Sequence, residues 1–282
     1  MLFRSYVSSG NCLAIAPVAE ELKKLTVFFD CGTPRIFEDG SYKYVFRTHP
    51  TATMDSVGAA LYVLDRNPKV KTIAGLNQNY AWGQDSWNDF EASMKVLKPG
   101  VDVKTSQMPK LFAGQFGAEI STLLSSNAEV LHSSFWGGDL EAFVLQAAPR
   151  ALFKKSTVVL TAGETAMFKL ADKIPDGTVL GARGMHGVLA PANELNQWFR
   201  SAFQDRFQLA PVYPAYHMAQ AILGTKAAYE KAQAANGGNA PTQEQIISAF
   251  ENLTFDAPSG KVQMALGKGH QAIQGTAYGV QR

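Results

Sequence analysis

Short apolar runs alternate with longer amphipathic stretches along most of this chain. Residues 25–29, 71–76, 129–132 and 157–161 are apolar almost throughout. Continuous runs of that length suit parallel strands covered on both faces. Helical periodicity fills the intervals. Ile15, Val18 and Leu22 recur at helical spacing within 13–24. In 86–97, Trp87, Phe90, Met94 and Leu97 form one stripe, which reads as a helix packed on a sheet. Further helices are predicted over 55–67, 115–125 and 140–148. Strand-helix-strand repetition of this kind means an α/β fold with parallel sheets.

The final third changes character. Leu195, Trp198, Phe199, Ala202 and Phe203 make 193–207 amphipathic, and 214–234 is a long alanine-rich helix. After the polar loop 235–241, Thr242 and Gln245 form a capping-box start for a helix to about 252. The tail reads as two short strands, 258–264 and 275–280.

Composition narrows the function classes. With 282 residues and 46% hydrophobic content, the chain can bury one or two cores. Its 26 basic and 24 acidic residues nearly balance, which gives no footprint for nucleic acid. No apolar run is long enough to cross a membrane, and Met1–Ser5 is too short for a signal peptide. Cys12 and Cys31 allow one disulfide without requiring it, and the five His show no metal-ligand spacing. His132, His186 and His217 stand isolated in the sequence. No dinucleotide loop, P-loop or nucleophile elbow is present, and no carboxylates are paired for acid-base work. Neither an enzyme nor a resident cofactor is expected.

The chemistry that does stand out lies at strand-to-helix junctions. Ser8-Ser9-Gly10-Asn11 follows the short remnant Tyr6-Val7 and opens a helix. Hydroxyls and backbone N–H groups there suit a carboxylate, while plain N-capping accounts for the spacing equally well. Asp30-Cys31-Gly32-Thr33-Pro34, Tyr80-Ala81-Trp82-Gly83, Phe135-Trp136-Gly137-Gly138 and Ala162-Gly163-Glu164 each follow a predicted strand. Open α/β sheets bind ligands at that end of their strands. Together the junctions describe a cleft for a small molecule with an anionic end and an apolar body.

Several segments also resemble a known family. Residues 8–22, beginning Ser8-Ser9-Gly10-Asn11, look like the first binding loop and helix of leucine/isoleucine/valine-binding proteins of ABC transporters. Tyr44-Val45-Phe46-Arg47-Thr48 resembles that family's crossing from one lobe to the other, and Asn79-Tyr80-Ala81-Trp82-Gly83 its Tyr-Gly segment. Ala215-Tyr216 and the Phe255–Gly260 ending are family-like as well.

The resemblance implies a type I periplasmic-binding fold, two doubly wound lobes closing on a branched-chain amino acid or a related, possibly aromatic, carboxylate. Lobe one would take residues 1–53 with 185–258, and lobe two 54–184 with 259–282. Ser8, Ser9 and Thr33 would meet the carboxylate, and Cys31 would add a backbone group. Glu164 would face a ligand ammonium, with Tyr80 or Trp82 and Phe135 or Trp136 flanking the ligand. The partners implied are permease subunits of an importer, with the binding protein a periplasmic monomer. A ligand sensor of the same fold is the competing reading. The family places further strand-helix units and a signal peptide before the Ser-rich loop. The chain is therefore expected to lack the first part of lobe one, with Leu2–Ser5 matching nothing in the family.

Overall fold

A computed structural model describes residues 8–282, so Leu2–Ser5 and the Tyr6-Val7 remnant lie outside the described residues. The chain opens with α1 (Ser9–Glu21), β1 (Thr26–Phe28), α2 (Arg35–Glu38) and β2 (Val45–Arg47). Next come α3 (Ala52–Arg66), β3 (Thr72–Leu76), α4 (Ala81–Leu97), β4 (Asp102–Gln107), α5 (Gly117–Ser126) and β5 (Val130–Ser133). Helices α6 (Gly137–Ala147) and α7 (Leu152–Lys155), β6 (Thr157–Leu160), α8 (Glu164–Leu170) and β7 (Val179–Gly181) follow. The last stretch holds α9 (Glu194–Phe207), α10 (Tyr213–Ala235), α11 (Gln243–Phe250), β8 (Thr254–Ala257), β9 (Gly260–Leu266), β10 (Gln271–Ile273) and β11 (Tyr278–Val280).

These elements form two compact units. The first comprises residues up to Thr51 with Gly184–Gly275, the second Ala52–Arg183 with Thr276–Arg282. The last crossing falls after Gly275, not near residue 258, because β9 and β10 hydrogen-bond into the first unit's sheet. What read as a second-lobe tail is the hairpin β8–β9 plus a strand returning beside β2.

The first unit's sheet has the order β1-β2-β10-β9-β8. Pairings are parallel from β1 through β10 and antiparallel from there to β8. Successive strand residues point to opposite faces, and both faces are apolar. Val27 and Phe46 pack with Phe250, Phe255 and the alanines of α10, while Phe28 and Val45 pack with Cys12, Ala16 and Ile36. Helix α11 begins in a capping box: Gln245 N–H donates to Thr242 Oγ1 at 3.3 Å, and Thr242 N–H to Gln245 Oε1 at 2.8 Å. Thr242→Ala is expected to cost about 1 kcal/mol, readable as a thermal midpoint lowered by roughly 2 °C. An unchanged midpoint would show that the box does not hold α11.

The second unit's sheet has the order β11-β7-β6-β5-β3-β4, parallel except for β11. One face packs Leu76, Leu131 and Leu160 against Phe116, Phe143 and Leu170. The other packs Ile73, Val130 and Val159 against Trp87, Phe90 and Met94 of the stripe seen in the sequence. Gly75 makes that close approach possible, since a Cβ there would stand 2.5 Å from the Trp87 ring. Helices on both faces of a largely parallel sheet make this unit doubly wound, which leaves the strand C-terminal ends as the natural place for a site. Among the described residues, no helix is long and apolar enough to cross a membrane.

Candidate functional site

In the first unit the candidate residues gather at the start of α1 and after β1. Ser8 precedes α1 in extended conformation, and its side chain makes no capping bond. The first turn of α1 contains no acidic residue, so nothing anionic of its own balances the positive end of the helix. Ser9 is buried, and its Oγ accepts from the Thr33 N–H at 3.2 Å. A disulfide joins Cys12 to Cys31, with Cα atoms 6.3 Å apart. Two ties therefore hold the α1 start to the loop after β1.

That loop is also gripped from below. Arg47, fully buried at the end of β2, donates from Nη1 to the carbonyls of Cys31 (2.5 Å) and Thr33 (2.6 Å), and from Nε to Gln271. The Cys31 N–H donates to His49 Nε2 at 3.1 Å. With Nε2 accepting, the His49 proton sits on Nδ1, which faces the Pro50 carbonyl at 2.8 Å. The Cys31 N–H and C=O, expected to offer a group to a ligand, are thus both engaged within the protein.

His186 and His217, isolated in the sequence, are not isolated in space. His217 stacks on His49 with ring centres 4.4 Å apart and meets His186 edge-on at 4.8 Å. Its Nδ1 lies 3.6 Å from Asp30 Oδ1. Gln220 Nε2 donates to the Thr48 carbonyl, leaving its Oε1 to accept from His186 Nε2 at 2.9 Å. This buried cluster backs the 30–33 loop. Only contact between distant segments reveals it.

In the second unit, Tyr80 and Trp136 occupy the extended positions just before α4 and α6. Trp136 Nε1 donates to Tyr80 Oη at 2.6 Å, which joins the two half-buried rings into one edge. The neighbours named with them in the sequence go elsewhere. Phe135 is fully buried between Phe116 and Phe143, so it belongs to the core and not to a ligand wall. Trp82 lies within the first turn of α4, 3% exposed, donating to the Ser134 carbonyl at 2.9 Å. The Arg183 guanidinium covers its ring at 4.2 Å. Glu164 opens α8 and is buried.

Two further groups lie buried in this unit: Asp139, which the sequence reading did not single out, and His132, which it found isolated. Asp139, buried in the first turn of α6, accepts from Gln78 Nε2 and from the Phe112 and Gly114 N–H groups. His132 is fully buried, stacks on Phe90 at 4.3 Å, and is held neutral because burial pushes its pKa down to about 3. Among the described residues, no cluster of His, Cys, Asp or Glu could hold a metal ion.

Each unit thus has its own cluster of polar or aromatic groups beside strand ends, at the start of α1 in the first and at Tyr80 and Trp136 in the second. Solved structures share the fold. A solute-binding protein from Rhodopseudomonas palustris in complex with 3,4-dihydroxybenzoic acid superposes with TM-score 0.82 at 20% identity, over 97% of this chain and 72% of that one. A second R. palustris solute-binding protein, in complex with benzoate, gives 0.83 at 17% identity over the same shares. A leucine-binding protein from Thermotoga maritima gives 0.80 at 18% identity, over 98% and 75%. No curated protein sequence matches significantly. The profile described as "Periplasmic binding protein" matches residues 3–281, nearly the whole chain, and the chain therefore belongs to that family of solute-binding proteins, which carry ligands without converting them.

Proposed function

We propose that the protein is the extracytoplasmic solute-binding component of an ABC importer and that its solute is a small carboxylate with an apolar body. A branched-chain amino acid and an aromatic acid both meet that description. The observation that carries the carboxylate is the start of α1. Ser8 stands there without a capping bond, Ser9 is fixed against Thr33, and no acid occupies the first turn. An anion is favoured at such a helix end by the exposed N–H groups and the dipole. Tyr80 and Trp136 face the apolar body, and Glu164 any ammonium group. The Cys12–Cys31 disulfide accords with an oxidising compartment such as the periplasm. Delivery is to the importer's permease subunits, with the binding protein acting as a monomer.

The test is a melting-temperature screen against leucine, isoleucine, valine, benzoate and 4-hydroxybenzoate. A true ligand at a hundred times its Kd stabilises by about 2.7 kcal/mol, a shift of several degrees. Ser8→Ala should reduce that shift while leaving the unliganded melt unchanged. If no probe shifts the melt at millimolar concentration, the small-carboxylate reading fails.

A further inference from the structure

Phe112 is 63% exposed, a large apolar side chain left in solvent in the loop after β4. An exposed phenylalanine alone says little. Its backbone says more. Phe112 has φ of +60°, a left-handed conformation that a bulky residue rarely adopts and that persists only where the surroundings enforce it.

The enforcement is visible. Asp139 Oδ2 accepts from the Phe112 N–H at 2.8 Å and Oδ1 from the Gly114 N–H at 3.1 Å. Gln146 continues the grip, accepting from the Phe116 N–H at 2.9 Å and donating to the Gly114 carbonyl at 3.0 Å. Every second residue of the loop is therefore pinned, and the exposure of Phe112 is not slackness. The pinned ring stands edge-on to Trp136, centres 5.5 Å apart and planes at 77°. Trp136 in turn holds Tyr80. Three aromatic rings thus form one continuous edge at the C-terminal ends of β3, β4 and β5, and the outermost is kept uncovered against its own backbone preference.

We propose that Phe112 is a specificity-determining residue whose ring packs on the ligand and selects an aromatic carboxylate over an aliphatic one, a role that rests on the small-carboxylate reading above. Aromatic rings prefer offset or edge-to-face partners, so an edge already carrying Trp136 and Tyr80 offers a flat ligand more than it offers a branched one.

The experiment is calorimetric titration of the full chain and of Phe112→Ala and Phe112→Leu with 4-hydroxybenzoate and with leucine. The wild type should bind 4-hydroxybenzoate more tightly than leucine. Phe112→Ala should weaken 4-hydroxybenzoate about tenfold and leucine less than twofold. Phe112→Leu keeps apolar bulk without a ring and should also lose most of the aromatic preference, and the unliganded melt of both variants should match the wild type. Equal 4-hydroxybenzoate affinity in wild type and both variants overturns the role of Phe112 while leaving the carboxylate reading intact. A wild type that binds leucine alone also overturns it. A wild type that binds neither probe overturns the role of Phe112, and the carboxylate reading falls with it only if isoleucine, valine and benzoate also leave the melt unshifted.

Discussion

Arg47→Met is expected to lower the stability of the protein by about 4 kcal/mol, a large share of the roughly 5–15 kcal/mol that holds an ordinary domain together. The guanidinium is fully buried and serves three acceptors at once: the carbonyls of Cys31 and Thr33 and the side-chain oxygen of Gln271. Removing the donor strands these groups where water does not reach, at roughly 1–3 kcal/mol each before any relaxation. Arg47→Lys should recover little, because an ammonium on a flexible stem cannot reproduce the planar fork that meets two carbonyls and an amide together. Since the same fork sets the path of the 31–33 loop, any residual folded protein should also bind its solute more weakly. Urea unfolding of the three proteins measures this. A loss below about 1 kcal/mol for the methionine variant would show that Arg47 is a bystander.

His132 gives the second large effect, this time through pH. Its folded pKa is pushed down to about 3, against an ordinary value of 6.5. Above pH 7.5 both folded and unfolded chains hold it neutral, and it contributes nothing to pH dependence. Below 6.5 the unfolded chain takes up a proton that the folded chain refuses. Stability therefore falls as pH drops through 6.5 and goes on falling to about 3. At pH 4.5 the loss is roughly 2–3 kcal/mol. His132→Leu cannot take that proton, so its stability should decline less steeply between pH 6.5 and 4.5, whatever its offset from losing the Thr161 contact. Carboxylates titrate alike in both proteins and cancel in the comparison. Identical slopes would mean that the His132 site opens to water before the rest of the chain unfolds.

The architecture was largely legible because its strands advertise themselves. β1, β3, β5 and β6 are buried on both faces, so they read as unbroken apolar runs. β4 did not, since its residues Asp102–Gln107 alternate between exposed and half-buried at the sheet's edge. β2 ends in a buried arginine, which hydropathy places outside any core. The candidate site was legible as a location and less so as a list. Phe135 and Trp136 are adjacent and aromatic, but consecutive residues in an extended segment point to opposite sides. One enters the core and the other reaches the edge, and only the sheet's orientation decides which. Phe112 carried no signal, because its significance rests on Asp139, which lies a strand and a helix further along the chain. The histidine cluster was hidden for the same reason: stacking between distant segments leaves no local pattern.

The Cys12–Cys31 bond has a practical consequence. It clamps together the two backbone segments that carry Ser9 and Thr33, which the Thr33 N–H to Ser9 Oγ hydrogen bond also joins. Protein made in a reducing cytosol, or handled in dithiothreitol, would lose the covalent half of that clamp. A titration under such conditions would interrogate a loosened form of the proposed carboxylate site. A weak signal there calls for a repeat on oxidised protein before any candidate solute is struck out.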